Sequence, residues 1–547
     1  MKPEPKDLSH YFSELTKARV PSDLKKYYEV FSREGMGNLA GGLPTPNYFP
    51  FRTLEATVLT ASGLDSSAKS DESRHRQIEV PNRSDEANVL RKVDVSTALQ
   101  YGTAEGYPSL RHWVRYITRH VVHGHIPYKK GPEVIMTCGN TDGFNKVLQT
   151  FTDEWIDGRS PTAERPAILA EAFSYPGALQ TALARGMQVV SVDIDECGIV
   201  PDALDHVLAN WNWNLGRRPH LLYTVAVGQN PTGSVVPTQR KKQIYEICTK
   251  YDVIIIEDEP YWFLQYPNAQ ELNLDSNDDF VMEGDSVRSD SKSGSFPFLQ
   301  RLAKSYLSID VEGRVVRLDS FSKTMAPGCR LGWITAQKAI IEKLVLITET
   351  STQQPSGFVQ SMVAQLLTGG KKDSDAWNID GWIQWCENLC NAYQKRMEQM
   401  CGILDSGRVN VTTDSHKLSE WSVVRSSAMY DFKWPSGGMF VWVKMNYPTH
   451  PLFDEVGEEK LAEALWKYLV EKPYMVAVAP GAMFGSTNSI KKEDGFRYFR
   501  LCFAAVEESE LRGITRRFCD GVREFWGLKK LPDQESVKLD AFLEPIN

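Results

Sequence analysis

From about residue 131 the chain alternates between short apolar runs and longer amphipathic stretches. Val134-Ile135-Met136-Thr137 reads as a strand that runs into a helix near Asp142 to Phe151. Ala167-Ile168-Leu169-Ala170 is a second strand, with a helix after it from Gly177 to Arg185. Gln188-Val189-Val190-Ser191-Val192 and Leu221-Leu222-Tyr223-Thr224 continue the series. The helix Thr238 to Tyr251 leads into Val253-Ile254-Ile255-Ile256, and Arg314-Val315-Val316-Arg317-Leu318 is a further strand. Short apolar strands alternating with helices predict a parallel, doubly wound α/β sheet. In such sheets functional residues gather at the C-terminal ends of the strands.

The flanks read differently. Residues 1–50 form an arm ending in Gly41-Gly42-Leu43-Pro44-Thr45-Pro46-Asn47-Tyr48-Phe49-Pro50, where the Gly and Pro density means turns. Ser62 to Asn88 is polar and charged and is expected to be an exposed loop. Pro108 opens a helix with Leu110, Val114, Ile117 and Val121 at helical spacing. Asp275 to Ser295 is acidic, Ser-rich and poor in apolar residues, the composition of a disordered insertion. A helical region follows from about 336 to 404, and 415–530 mixes strands such as Met439-Phe440-Val441-Trp442-Val443 with helices. The expected division is an arm (1–50) joining the small domain, a large sheet domain (51–350), then linking helices and a smaller C-terminal α+β domain (351–547).

Composition adds limits. A chain of 547 residues is too long for one simple core. A net charge of -8 argues against general affinity for nucleic acid. No apolar run is long enough to span a bilayer, and the first residues lack the apolar segment of a signal peptide. Nine irregularly spaced cysteines fit a reduced, cytoplasmic protein. Cys386, Cys390 and Cys401 read as buried thiols, His120, His123 and His125 as surface histidines, and no metal site is expected.

The chemistry concentrates at four strand ends. Cys138-Gly139-Asn140-Thr141 lies between a strand and a helix, where free N–H groups bind phosphate, although an Asn/Thr cap alone accounts for it. Gln229-Asn230-Pro231-Thr232-Gly233 is a tight turn that also places the Asn230 amide near a strand end. Glu257-Asp258-Glu259 closes the most apolar strand; buried carboxylates there are costly without a cationic partner, and a protonated pyridine nitrogen would be one. Tyr261 follows three residues later. In Ser320-Phe321-Ser322-Lys323, with Arg330 beyond it, a lysine sits among anion-binding groups, as needed to hold a phosphorylated aldehyde as a Schiff base. Taken one at a time, a capped helix, a turn, an acidic loop and a surface lysine explain these segments; their order and placement together do not.

This set resembles the fold-type-I pyridoxal-phosphate aminotransferases of class I/II, in Asn230-Pro231-Thr232-Gly233, Asp258-Glu259-Pro260-Tyr261, Ser320-Phe321-Ser322-Lys323 and Arg330-Leu331-Gly332-Trp333. Leu39-Ala40-Gly41-Gly42-Leu43-Pro44, Leu99-Gln100-Tyr101-Gly102, Glu171-Ala172-Phe173-Ser174-Tyr175-Pro176-Gly177 and Arg500-Leu501-Cys502-Phe503 make it most similar to the fungal aromatic and the kynurenine/2-aminoadipate aminotransferases. The resemblance implies a large pyridoxal-phosphate-binding sheet domain and a smaller α+β domain. It implies Lys323 as the lysine that holds the cofactor and shuttles the proton, Asp258 on the ring nitrogen, and Asn230 and Tyr261 on the ring oxygen. It places Tyr175 on the ring face, and Asn140, Thr141, Ser320, Ser322 and Arg330 on the phosphate. Tyr101 would reach the phosphate of a partner subunit, which implies a homodimer. Arg500 would clamp the substrate α-carboxylate, with Gly42 and Asn230 beside it. Lys25 stands where some relatives have an arginine for a distal carboxylate; it keeps the charge and loses the fork. Tyr48, Phe49 and Phe484 are candidates for an apolar substrate wall.

The implied activity is transfer of the amino group of Phe, Tyr or Trp, with kynurenine and 2-aminoadipate as further donors, to 2-oxoglutarate or phenylpyruvate. The same motifs serve a Cβ-lyase, a cyclopropane-forming synthase or an aminotransferase of a secondary-metabolite pathway. A non-catalytic regulator on this fold would need a basic DNA-binding arm, and this arm is too short and not basic enough.

Overall fold

A computed structural model describes residues 2–22, 35, 37, 39, 42–64, 74–266, 296–369, 377–413 and 424–532. Lys25 and the insertion expected at 275–295 lie outside these residues.

The stretch 62–88, expected to be a loop, contains a strand. β1 (Leu54–Leu59) pairs antiparallel with β2 (His75–Val80). In β2 His75, Gln77 and Glu79 face solvent while Ile78 and Val80 are buried. The charged outer face hides the alternation in the sequence. The helix opened by Pro108, α1 (Pro108–Ile117), buries Leu110, Val114 and Ile117 as the spacing predicts.

The seven-stranded sheet consists of β3 (Glu133–Thr137), β4 (Ala167–Glu171), β5 (Gln188–Val192), β6 (Leu221–Thr224), β7 (Ile254–Asp258), β8 (Val315–Ser320) and β9 (Gly332–Ala336). Its order is β3-β9-β8-β7-β6-β4-β5. Only β9 runs against its neighbours. Helices α2 (Asn140–Phe151), α3 (Pro176–Ala184) and α4 (Thr238–Tyr251) are the crossovers between parallel strands. Both faces are covered: Ile254 and Ile256 enter one core and Ile255 the other. That is why β7 is apolar throughout instead of alternating.

The helical region after β9 resolves into α5 (Lys338–Glu349), α6 (Gly357–Thr368) and α7 (Asn378–Gly407). Beyond the hairpin β10 (Val409–Thr413) and β11 (Val424–Ala428) lies a four-stranded antiparallel sheet. It is built from β12 (Tyr430–Phe432), β13 (Phe440–Met445), β14 (Ala479–Pro480) and β15 (Tyr498–Cys502), in the order β12-β13-β15-β14. α9 (Glu508–Phe525) packs along α7 and against α8 (Glu458–Val470), and its Phe518 meets Tyr430 of β12. The architecture is the expected one, a large, mostly parallel sheet with a smaller α+β unit.

The two units meet tightly at Gly228 and Gly438. A Cβ on Gly228 would stand 2.4 Å from the Gly438 backbone. Only glycines allow the loop after β6 to touch the entry to β13, and this contact brings β15 over the strand ends. The start of the N-terminal arm, expected beside the small domain, lies on the large one. Lys6 N donates to Glu312 O at 2.8 Å, Ser13 N to Thr150 O at 2.9 Å, and Lys6 pairs with Asp252 at 2.7 Å.

Candidate active site

At the C-terminal end of β7, Asp258 is buried. Oδ1 accepts from Asn140 Nδ2 at 2.6 Å and Oδ2 from the Tyr223 hydroxyl at 2.8 Å. Burial pushes its carboxyl up to about 6, against the two hydrogen bonds, which favour the ionised form. Its strand neighbours point to the other sheet face: Glu257 is held by Ser305, the Tyr306 N–H and Arg317, and Glu259 finds no hydrogen-bond partner among the described residues. Of the three carboxylates, Asp258 alone opens onto the cavity described below.

The Asn140 side chain is therefore turned to Asp258, not outward to an anion. Its Oδ1 is buried without a partner. The backbone of Asn140 and Thr141 still begins α2, where N–H groups have no intrahelical acceptor. Gly139 just before it has φ +96°, and a Cβ there would meet Arg330 Nη2 at 2.4 Å. Arg330 lies across that glycine, donating to Cys138 O at 3.1 Å and Pro327 O at 2.9 Å. Ser320 donates to Ser322 Oγ at 2.7 Å and accepts from the Ser322 N–H at 2.9 Å. Guanidinium, helix N-terminus and hydroxyls form a cradle suited to a phosphate.

Lys323 follows β8 in a turn. Burial lowers the pKa of its amine, and the positive charges of Arg330 and Arg500 push the same way. Opposite, Arg500 on β15 donates to Asn230 Oδ1 at 2.7 Å. Its guanidinium carbon lies 4.2 Å from the centre of the Phe440 ring and 4.6 Å from that of Phe484. Nε is buried without a partner, and no carboxylate pairs with this arginine among the described residues. Tyr261 is buried edge-on to Phe440, and burial raises its phenol pKa.

All these groups line one cavity of about 420 Å³: Lys323, Asp258, Asn140, Thr141, Tyr175, Asn230, Tyr261, Ser320, Ser322, Arg330 and Arg500. Phe144, Met439 and Cys502 line it too.

The sequence model of the aminotransferase class I and II family matches residues 63–518. The chain belongs to that family. The L-tyrosine:2-oxoglutarate aminotransferase of Serpula lacrymans is 32% identical, over 95% of each chain. The mitochondrial kynurenine/alpha-aminoadipate aminotransferase of Bos taurus is 26% identical, over 94% of this chain and 99% of its own. Among solved structures, aminotransferase Aro8 from Candida albicans matches with a TM-score of 0.77 and 32% identity, covering 96% of this chain and all (100%) of its own.

The residues of this aminotransferase fit the family's cofactor, pyridoxal phosphate. The cavity offers a cationic cradle for a phosphate, an ionisable carboxyl for a ring cation and an amine of lowered pKa. Other expected residues lie elsewhere. Tyr101 is 61% exposed and faces a separate hollow with Gln100, Gly102 and Gln354. Gly42 is exposed, with open space where a Cβ would stand, and Tyr48 is exposed. Phe49 does not reach the cavity, and Phe484 meets it only through Arg500. His123, expected on the surface, is buried edge-on to Trp262, and burial lowers its pKa well below the ordinary value. No helix among the described residues is long and apolar enough to cross a membrane.

Sequence reasoning missed Tyr223 and Phe440. A tyrosine in the middle of a fully buried strand was the available signal, because its hydroxyl must find a partner.

Proposed function

We propose that this aminotransferase moves the amino group of aromatic amino acids to a 2-oxo acid such as 2-oxoglutarate or phenylpyruvate. The observation that carries this is Arg500, a half-buried cation that lies over two phenyl rings and lacks a carboxylate partner among the described residues, in the same cavity as Lys323 and Asp258. A desolvated guanidinium of this kind is stabilised by a ligand carboxylate in a bidentate fork. Among the described residues the remaining cations of the cavity are Lys323 and Arg330, and Tyr175, Met439 and Phe144 offer a substrate side chain largely apolar surface. Relatives that bear aromatic and tyrosine aminotransferase names agree with that reading. Lys25 is assigned to the distal carboxylate of a dicarboxylic partner.

When bound, pyridoxal phosphate supplies an electron sink for the bond that breaks at the substrate Cα. The protein does the rest. Arg330, Ser320, Ser322 and the N–H groups of Asn140 and Thr141 hold the phosphate. The Asp258 carboxylate keeps a proton on the ring nitrogen, and Tyr223 and Asn140 aim it. Tyr261 and the Asn230 amide nitrogen, left over once Oδ1 has accepted from Arg500, bond the ring oxygen. Tyr175 covers the ring, and Lys323 Nζ takes the Cα proton and returns it. Arg500, with Asn230 beside it, fixes the carboxylate so that the Cα–H bond is the one exposed to that amine.

The exposed Tyr101 is assigned to the phosphate of a second subunit, in a homodimer with shared sites. We take 51–350 as the cofactor domain, with 1–50 and 351–547 as arm and small domain. All nine cysteines are free, which suits a reducing compartment, and we assign the enzyme to the cytoplasm.

A panel of amino donors with 2-oxoglutarate and with phenylpyruvate tests the proposal. Aromatic donors should give the largest kcat/KM, and an amino acid alone should convert the bound cofactor to its amine form. Release of ammonia and pyruvate, with the cofactor returned to its aldehyde form, would instead mark a lyase.

A further inference from the structure

Glu171 ends β4 fully buried and has no part in the chemistry described above. Oε1 accepts from the Thr224 hydroxyl at 2.8 Å, and Oε2 from the Gln229 side-chain amide at 2.9 Å. Gln229 is buried too. The same amide nitrogen donates to Phe173 O at 2.7 Å, and its Oε1 accepts from both the N–H and the hydroxyl of Thr232 at 2.8 Å. Both donors and both lone pairs of that amide are used, so it fits one way round only. The main chain of Gln229 closes the turn, accepting from Gly233 N at 2.7 Å and donating to Ser234 O at 3.0 Å. The next residue is Asn230, whose Oδ1 receives Arg500 at 2.7 Å.

We propose that Glu171 is a positioning residue for substrate binding: by pinning the Gln229 amide it fixes the turn that holds Asn230 against Arg500, so the carboxylate clamp is set before substrate arrives. The proposal rests on reading Arg500 as that clamp. Glu171 touches neither substrate nor cofactor and acts only through Gln229. What the turn requires from it is one acceptor oxygen. Burial pushes its carboxyl up to about 7, and both protonation states keep that oxygen, because the Thr224 hydroxyl can turn from donor to acceptor. An apolar side chain would leave the Gln229 N–H buried and unpaired.

The test is steady-state kinetics of the holoenzyme with tyrosine and 2-oxoglutarate, alongside the absorbance of bound cofactor. Glu171→Ala is expected to raise KM for the amino acid ~10-fold, the size of one lost buried hydrogen bond, with kcat within about 3-fold and the cofactor absorbance unchanged. Gln229→Ala should give the same split, and it carries the test if Glu171→Ala does not fold. The double variant should be no worse than either single change, because both cut one link. Glu171→Gln should restore wild-type KM. An unchanged KM in both alanine variants, additive effects in the double variant, or Glu171→Gln as impaired as Glu171→Ala would overturn the proposal. Arg500→Lys is the companion measurement. If it raises KM while the Glu171 and Gln229 variants do not, only the positioning role falls. If Arg500→Lys itself leaves KM unchanged, the clamp lies elsewhere and both readings fall.

Discussion

Replacing Tyr223 by Phe removes one oxygen and nothing else. The residue is buried within β6, and its ring rests edge-on to Phe144, so the cavity walls should not move. Its hydroxyl is the donor to Asp258 Oδ2 at 2.8 Å. A hydrogen bond to a charged group contributes about 1.5–3 kcal/mol. Lost from the ionised carboxylate alone, that amounts to ~1–2 pH units on Asp258. The direction follows from the chemistry, since a donor favours the charged form and its removal raises the pKa. Starting from about 6, the carboxyl of the cofactor-free variant should titrate at or above neutrality. Wild-type Asp258 is mostly ionised at pH 7, whereas the variant is at least half protonated there. A protonated Asp258 offers no charge to the ring nitrogen, so cofactor affinity should fall as pH drops through this value. The measurement is equilibrium binding of pyridoxal phosphate to cofactor-free protein between about pH 5 and pH 8.5, for wild type and Tyr223→Phe side by side. Titration of Lys323 is common to both and drops out of the comparison. The acid inflection should move up by ~1–2 units while affinity at the alkaline end stays close to wild type. Inflections that coincide within about 0.3 unit would refute the claim that Tyr223 tunes Asp258.

Arg500→Lys should raise KM for amino and oxo acids roughly 30-fold, because the charge survives but the fork and the stacking between Phe440 and Phe484 do not; initial rates check it. Gly139→Ala forces a side chain onto a positive φ and into Arg330, so cofactor should dissociate faster in dialysis while melting of the cofactor-free protein changes by only about 1–2 kcal/mol. Lys323→Ala should abolish both turnover and the visible absorbance of covalently held cofactor. His220 is buried and held down to about 4, so the unfolded chain binds its proton first. Stability is therefore lost as pH falls from 6.5 toward 4. Asp258, Asp310 and Glu171, all raised by burial, gain stability over overlapping ranges as pH falls. The isolating quantity is thus the difference in unfolding free energy between wild type and His220→Gln, measured by denaturant titration, which should shrink by up to ~3 kcal/mol toward pH 4.

Much of the sheet was legible because its strands are buried on both faces, which leaves uninterrupted apolar runs such as Val253-Ile254-Ile255-Ile256. The residues that converge on the cavity were legible for a related reason. Asp258, Lys323 and Asn230 are polar groups set where an apolar strand stops. What stayed hidden depends on partners distant in sequence. Nothing local to Asn140 tells that its amide turns to Asp258 and not outward, since the acceptor lies 118 residues away. β2 was masked because its charged residues occupy the solvent face of a one-sided strand. His123 reads as polar, yet it is buried against Trp262 at the end of the turn that continues α1. The N-terminal arm is laid on the large domain by backbone bonds that any sequence would carry and by the Lys6–Asp252 pair, whose members stand 246 residues apart.

The span between Asn230 and Arg500 is 270 residues, and the bond between their side chains joins the two units of the molecule. A chain emerging from the ribosome completes β3 to β9, and with them the phosphate cradle, Asp258 and Lys323, long before β15 is made. The cavity is therefore translated in two instalments: Asn140, Tyr175, Asp258, Lys323 and Arg330 come first, and Met439, Phe440 and Arg500 close it only when the smaller unit is made.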